Sequence, residues 1–429
     1  MKYFANERKD AAAHAAAAAF PLHWSAAAGR LVLAAALALA WWQDMQPYLG
    51  SASPARLLLI LSLLLIPVSA YFFVLTRRFT GTVLAGRGET AQELAALLLS
   101  AAALVPSMHI FGLPVLLVLH VVIIGLLMEI LYGVTARLGR RRPRWWRILY
   151  RSSVIPLAGA ALLTGYGFWN MKSPVSAEYT VASEKALPPG GYKAVLFTDL
   201  HYGNALHSAE LRQDAAAIAA EAPDLVLLGG DIVDERTSER DMKEAFRILG
   251  SIPARYGVYY VYGNHDKALY TAQPAFTPEE LAQAIENAGI TILEDRTVTA
   301  APGLTVTGRQ DRSDPMRTGV PRASSEALAE GLDPAAFRIL LDHQPRYFEE
   351  NAAAGYDLML SGHTHAGQIW PAGLLIGALD AGTIVYGHEV RDGMDVIVSS
   401  GISGWGYPLR TEGQSEYVTI HITGKGEGT

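Results

Sequence analysis

The residues able to do chemistry gather in five short motifs of the C-terminal half. They are Asp199-Leu200-His201, Gly230-Asp231, Gly263-Asn264-His265-Asp266, a lone His343, and Gly362-His363-Thr364-His365. Asp199, His201, Asp231, Asn264, His343, His363 and His365 supply oxygen and nitrogen ligands. Mixed Asp and His ligands suit Mn, Fe or Zn, whereas an all-oxygen set favours Mg or Ca. Asp199 and His201 flank one residue, as do His363 and His365, so at an extended strand end each pair points one way. The carboxylate of Asp231 has two oxygens and can bridge two ions. Two ions about 3.5–4 Å apart polarise a phosphoryl group and generate hydroxide at neutral pH. His265 is left over, and Asp266 follows it. A histidine held by a carboxylate is suited to protonating a leaving oxygen, so His265 and Asp266 form the expected catalytic pair. The chemistry implied is metal-assisted hydrolysis of a phosphate ester.

These motifs need strands that end where they begin. Short apolar runs precede each: Val195-Leu196-Phe197, Leu225 to Leu228, Val258 to Val261, Ile339 to Leu341, and Leu358 to Leu360. Such runs read as buried strands. Later strands are expected at Val396 to Val398 and Tyr417 to Ile422. Helical stretches lie between, at Ser208–Ala222, Arg240–Gly250 and Pro278–Ala288. Strands alternating with helices make a layered α/β domain, whose strand ends commonly carry the site. Residues 171–190, containing Pro174 and Pro188-Pro189-Gly190-Gly191, read as a linker, which leaves 191–429 as the catalytic domain.

Residues 1–170 have a different character. They carry 15 Lys and Arg against 6 Asp and Glu, whereas residues 171–429 carry 20 against 35. The basic half is also the apolar half, so its charge points to a membrane and away from nucleic acid. Apolar stretches approach or exceed the ~20 residues that span hydrocarbon: Ala26 to Trp42, Ala55 to Leu75, Leu94 to Val134, and Ile148 to Trp169. Pro106, Gly112 and Pro114 break the third into a helical hairpin, which gives five spans. Arg77, Arg78 and Arg87 mark one cytoplasmic loop, and Arg137, Arg140, Arg141, Arg142, Arg144 and Arg147 mark the next. Five spans then put the domain after Trp169 outside the cytoplasm, whereas four could reverse the side. His109, His120 and Glu129 lie within the apolar stretches and read as packing groups with internal partners. The chain has no cysteine, which excludes disulfides and thiolate metal sites.

Taken singly the motifs are ordinary turn sequences. In this order, on successive strand ends, they resemble the calcineurin-like metallophosphoesterases over roughly Tyr192 to Ile422. The run Gly362-His363-Thr364-His365-Ala366-Gly367-Gln368-Ile369 looks most like a membrane-associated bacterial branch. The resemblance implies a four-layer α-β-β-α sandwich, preceded here by an all-α transmembrane bundle. It also implies a dinuclear centre, with Mn²⁺ first and Zn²⁺ or Fe as alternatives. Asp199, His201, Asp231 and His365 would hold one ion. Asp231, Asn264, His343 and His363 would hold the other, with His265 acting on the leaving group. The expected setting is a bacterial inner or plasma membrane.

Beyond His365, Ile369 to Leu379 and Gly401 to Tyr407 are apolar, Gly-rich loops able to meet a membrane surface. They suggest a phosphoester or pyrophosphate bond in a lipid or lipid-linked head group, and membrane lipids as partners. Arg309 and Asp311 are candidates for substrate contact, whereas His207 and His388 fit no motif. The competing classes are a phosphodiesterase of water-soluble substrates that is merely anchored, a non-catalytic metal-binding sensor, and a transporter component.

Overall fold

The structure is a computed structural model describing residues 24–46, 54–138, 143–380 and 382–424. The chain divides into two compact units, Met1–Ala161 and Leu162–Thr429.

The first unit is helical: α1 Trp24–Met45, α2 Pro54–Val83, α3 Glu89–Leu104, α4 Leu113–Arg137, α5 Arg144–Ser152, and the start of α6 Val154–Met171. Among the described residues, three segments are long and apolar enough to cross a membrane, Leu59–Val83, Glu89–Met108 and Leu113–Arg137. The α5–α6 pair, bent by 65°, makes a fourth if it is one span; Leu31–Met45 is apolar but shorter. The described residues thus hold three to four candidate spans, beside the five read from the sequence. The expected hairpin forms, its break made by a 3₁₀ turn over Pro106–Met108 and an extended Gly112. Arg77 and Arg78 are not in a loop, because α2 runs on to Val83. Arg78 Nη1 donates to Glu129 Oε1 at 2.6 Å, and Tyr71 and Tyr150 hydroxyls donate to the same carboxylate. A charged group among apolar helices demands partners of this kind. His109 Nδ1 meets Asp44 Oδ2 at 2.8 Å, and His120 is fully buried. Arg140, Arg141 and Arg142 lie outside the described residues.

The second unit contains two six-stranded sheets. Its strands are β1 Val175–Ser183, β2 Tyr192–Phe197, β3 Leu225–Leu228, β4 Val258–Tyr260, β5 Thr291–Ile292, β6 Arg296–Ala301, β7 Leu304–Gly308, β8 Phe337–Leu341, β9 Leu358–Ser361, β10 Gly387–Arg391, β11 Met394–Val398 and β12 Glu416–Gly424. One sheet runs β1-β12-β2-β3-β4-β5 and the other β10-β11-β9-β8-β7-β6. Strands β2 to β5 are mutually parallel, as are β7, β8, β9 and β11. The stretch expected to be a linker therefore contains β1, which pairs with β12 from Val175 to Ser183. Its polar residues alternate with apolar ones, as an edge strand requires.

Side-chain alternation builds the layers. Ala194, Leu196, Leu225, Leu227, Phe337, Ile339, Leu358 and Leu360 point between the sheets. Val195, Phe197, Val226, Leu228 and Tyr260 face the other way, onto helices α7 Ser208–Ala220, α8 Glu239–Leu249 and α9 Pro278–Asn287. Beyond the short α10 Asp314–Thr318, helices α11 Ser325–Ala329 and α12 Phe348–Ala353 cover Leu340, Met359, Val396 and Val398 on the second sheet's outer face. This is the four-layer α-β-β-α sandwich. A one-residue slip in any of these strands would exchange its two apolar faces, so the register that aims the motifs is fixed by burial. Helix starts are locally encoded: Ser238 accepts from Asp241 N, and Thr277 and Glu280 form a capping box with Pro278 behind it. The segment after His365, expected to be a loop, is partly helical: α13 spans Ala372–Leu379.

Candidate metal centre

All five motifs follow the C-terminal ends of β2, β3, β4, β8 and β9, so parallel pairing collects them at one edge of the sandwich. The chain must turn sharply there. Asp199, His201, Asp231, His363 and His365 all have left-handed backbones, with φ of 57°, 45°, 53°, 72° and 51°. Each such non-glycine conformation costs on the order of 1–3 kcal/mol and persists only where its surroundings impose it. The motif glycines permit close approach. A Cβ on Gly263 would lie 2.2 Å from Asp231 Oδ1, and one on Gly362 2.1 Å from Asp199 Oδ2.

The side chains form two clusters, Asp199–His201–His365 and Asp231–His343–His363, each with its ligand atoms within 4.8 Å of one another. Asp231 Oδ2 joins them, 3.1 Å from His343 Nε2 and 3.7 Å from His201 Nε2. Asn264 Oδ1 lies 2.9 Å from His363 Nδ1, which brings the seventh expected ligand to the second cluster. His343 Nδ1 is 2.8 Å from the Gly229 carbonyl, which fixes that nitrogen as the donor and turns Nε2 toward Asp231. Nε2 of His201 and Nδ1 of His365 are buried with no hydrogen-bond partner, and Nε2 of His343 has only the Asp231 carboxylate beside it. Buried polar atoms are rarely left so, and such nitrogens beside two buried carboxylates fit a pair of cations. Burial, and then the neighbouring imidazoles, hold His363 down at about 3 and His365 well below the usual histidine range. Both shifts favour the neutral ring, the form that binds metal. Burial raises the Asp199 carboxyl; it acts the same way on Asp231, where His343 and His265 outweigh it and lower that carboxyl well below its usual value.

His265 has a different carboxylate partner from the one its sequence neighbour suggested. Its Nδ1 lies 3.0 and 3.1 Å from the two oxygens of Glu235. Burial alone would lower this imidazole, but Asp231 and Glu235 reverse the effect and hold it at about 9. Tyr270 and Trp405 flank the ring, each with its centroid 5.0 Å away. Asp266, expected to assist His265, is fully buried and accepts the backbone N–H groups of Asp231 (2.7 Å), Ile232 (2.9 Å), Val233 (3.1 Å) and Gly263 (2.6 Å). It pins two motif loops together rather than serving the imidazole. The correction is one of direction: successive residues in a turn point apart.

Arg309 is also corrected. Its guanidinium is buried, donates to Asn351 Oδ1 at 3.3 Å and Ala323 O at 2.8 Å, and lies 3.7 Å from Asp342. Asp311 accepts from Gln344 Nε2 at 3.1 Å and from Ser313 N at 2.7 Å. Both brace the turn carrying His343 from beneath. His207 precedes α7, its N–H 3.3 Å from Glu210 Oε2, and His388 Nε2 pairs with Asp395 Oδ1 at 2.6 Å on neighbouring strands. Sequence reasoning missed Glu235, and also Asp234, whose Oδ2 lies 3.5 Å from His201 Nδ1. The signal was the acidic pair closing Gly-Asp-Ile-Val-Asp-Glu, but nothing in its spacing says which motif each acid reaches.

A two-sheet α/β sandwich with paired Asp/His clusters bridged by one carboxylate is the layout of a dinuclear metallohydrolase. Comparison with known proteins agrees. Residues 192–367 match the calcineurin-like phosphoesterase family. A metallophosphoesterase of Aquifex aeolicus is 30% identical over 58% of this chain and 92% of its own length. One from Campylobacter jejuni is 30% identical over 54% of this chain, and this chain spans only 59% of its length. A zebrafish (Danio rerio) transmembrane protein with a metallophosphoesterase domain is 29% identical over 63% of this chain and 62% of its own. The chain belongs to the calcineurin-like phosphoesterases, and its metallophosphoesterase domain is preceded by apolar helices.

Proposed function

We propose that this protein hydrolyses a phosphoester or pyrophosphate bond in a lipid or lipid-linked head group, at the outer face of a bacterial plasma membrane. The observation that carries the hydrolytic part is the meeting of the two clusters at Asp231 Oδ2. Asp199, His201, His365 and Asp231 would hold one divalent ion, and Asp231, Asn264, His343 and His363 the other. The mixed N/O donors suit Mn²⁺, Zn²⁺ or Fe, and Mn²⁺ is the ion proposed. Bound there, the ions would polarise a phosphoryl oxygen. With Nδ1 of His265 held by Glu235, the imidazole is oriented to give a proton to the leaving oxygen. Tyr270 and Trp405 fix the ring plane.

The lipid part rests on α13 and the apolar helices. Helix α13 leaves Leu374, Leu375 and Leu379 at 67%, 55% and 85% exposure. Its first turn is held against the His365 turn, since a Cβ on Gly367 would lie 2.1 Å from Gly373 N. An uncharged helix exposing several leucines beside a metal centre suits contact with acyl chains. The outward placement draws on Arg87, Arg137, Arg144 and Arg147 as cytoplasmic charges and on a fifth span at α1.

The test uses the detergent-purified full chain with Mn²⁺. It compares phospholipid, lipid-pyrophosphate and nucleotide-lipid substrates in mixed micelles with water-soluble phosphodiesters. Turnover of one lipid class at least 10-fold above the soluble compounds is expected. Turnover confined to soluble compounds would overturn the lipid reading and leave the hydrolase. Replacing Leu374 and Leu375 together by Asp should lower lipid turnover and spare a soluble chromogenic phosphodiester.

A further inference from the structure

Arg410 is the largest fully buried side chain among the described residues. Stripping a guanidinium of water costs several kcal/mol unless the protein supplies partners. Here the partners are main-chain carbonyls. Nη1 donates to His365 O at 2.8 Å, and Nη2 donates to Ser400 O at 2.6 Å and to Ser403 O. His365 and Ala366 are successive non-glycine residues at φ 51° and 48°, a pair that external bonds must hold. Ser400 and Ser403 bracket a turn that lies on Asp199. A Cβ on Gly401 would come within 2.6 Å of Asp199 Cβ, and Ser403 N donates to Asp199 O at 3.2 Å. One guanidinium therefore braces the backbones of both Asp199 and His365. It makes no bond to Asp231, His343 or His363.

The main chain of Arg410 is bound from the other side by the end of α6, within the same compact unit. Arg410 N donates to Gly167 O at 3.0 Å. Asn170 Nδ2 donates to Arg410 O at 3.1 Å and to Gly413 O at 2.7 Å. Ser415 Oγ donates to Met171 O at 3.4 Å. A Cβ on Gly167 would stand 2.9 Å from Thr411 Cγ2, so the helix and the 409–415 strap are in direct contact. Asn170 is itself buried.

We propose that Arg410 is a positioning residue for the Asp199–His201–His365 half of the metal centre, and that Asn170 ties this half to the end of the last apolar helix. The proposal rests on the two-ion reading of the site. It makes one ion position, not both, sensitive to the helix that joins the catalytic domain to the membrane.

The experiment measures Mn²⁺ binding to the detergent-solubilised full chain by equilibrium dialysis, with His365→Ala and His343→Ala marking the two positions. Wild type should bind two ions, and failure to bind any would remove the two-ion reading and this proposal with it. Arg410→Met should weaken the ion that His365→Ala weakens by ~10- to 100-fold, the range found when groups supporting metal ligands are lost. The ion marked by His343→Ala should change less than about threefold. Arg410→Lys should recover part of the loss, because an ammonium can still bind the His365 carbonyl. Asn170→Ala removes two hydrogen bonds and should weaken the same ion by a smaller factor. It also carries the test if Arg410→Met does not fold. Equal weakening of both ions in Asn170→Ala or Arg410→Met, or unchanged affinity in both variants, would overturn the assignment.

Discussion

Replacing Asp266 separates a structural role from a catalytic one. In the folded chain its carboxylate accepts four backbone N–H groups, from Asp231, Ile232, Val233 and Gly263, at 2.6–3.1 Å. Burial and the nearby Asp231 push this carboxyl up to about 6, against the four donors that favour its charge, so it is still largely ionised at neutral pH. Asp266→Ala strands those donors in a dry interior. A buried donor left unmet costs about 1–3 kcal/mol. With relaxation and some water entry, a total of roughly 4–8 kcal/mol is expected. For a unit of this size each kcal/mol moves the midpoint by about 2 °C, so the catalytic unit should melt ~8–16 °C lower. The assay is thermal unfolding of the detergent-solubilised full chain, followed by intrinsic fluorescence with excess EDTA. The chelator removes stabilisation by bound metal, so the loss then reports the carboxylate alone. Asp266→Asn should fall between, since one carbonyl oxygen remains while its NH₂ faces donors. If Asp266→Ala melts within about 2 °C of wild type in EDTA and loses only turnover, the anchoring argument is wrong and the residue acts in catalysis.

Glu235→Gln should lower kcat on a soluble phosphodiester by ~10- to 100-fold, the worth of a charge-assisted hydrogen bond, and leave Mn²⁺ stoichiometry at the wild-type value; loss of metal would refute its assignment to His265. Asp231→Ala should abolish tight binding of both ions, whereas His343→Ala should spare one, as equilibrium dialysis will show. Asp214 is pushed up to about 7 by burial, and its Oδ2 has no partner. A folded pKa above the unfolded one means the folded state holds the extra proton, so this group's contribution falls as pH rises from about 4 to 7, by at most roughly 4 kcal/mol. Asp214→Asn should therefore raise stability more at pH 8 than at pH 4, and an equal gain in urea melts at both would contradict it.

Local sequence determined the strands that lead into the motifs, several helix starts and the identity of the candidate metal donors. Burial of alternate residues sets strand phase, capping chemistry sets helix starts, and Asp, Asn and His are chosen by what they can donate. These are properties of a few adjacent residues, which is why Ser208, Pro278 and the five motifs could be read directly. The tertiary structure alone decided who meets whom. Asp266 and Glu235 are both acids near a motif, yet the turn after Asn264 sends Asp266 into the backbone of the Gly-Asp loop, while Glu235 arrives from the turn after β3 to hold His265. Arg309 looked like a loop cation until folding buried it against Asn351 and Asp342. Arg410 gave no local signal at all, because its partners are carbonyls at positions 365, 400 and 403 and a helix ending at 171. Which atoms a buried charge finds depends on chain crossings distant in sequence, and only packing the two sheets together fixes them.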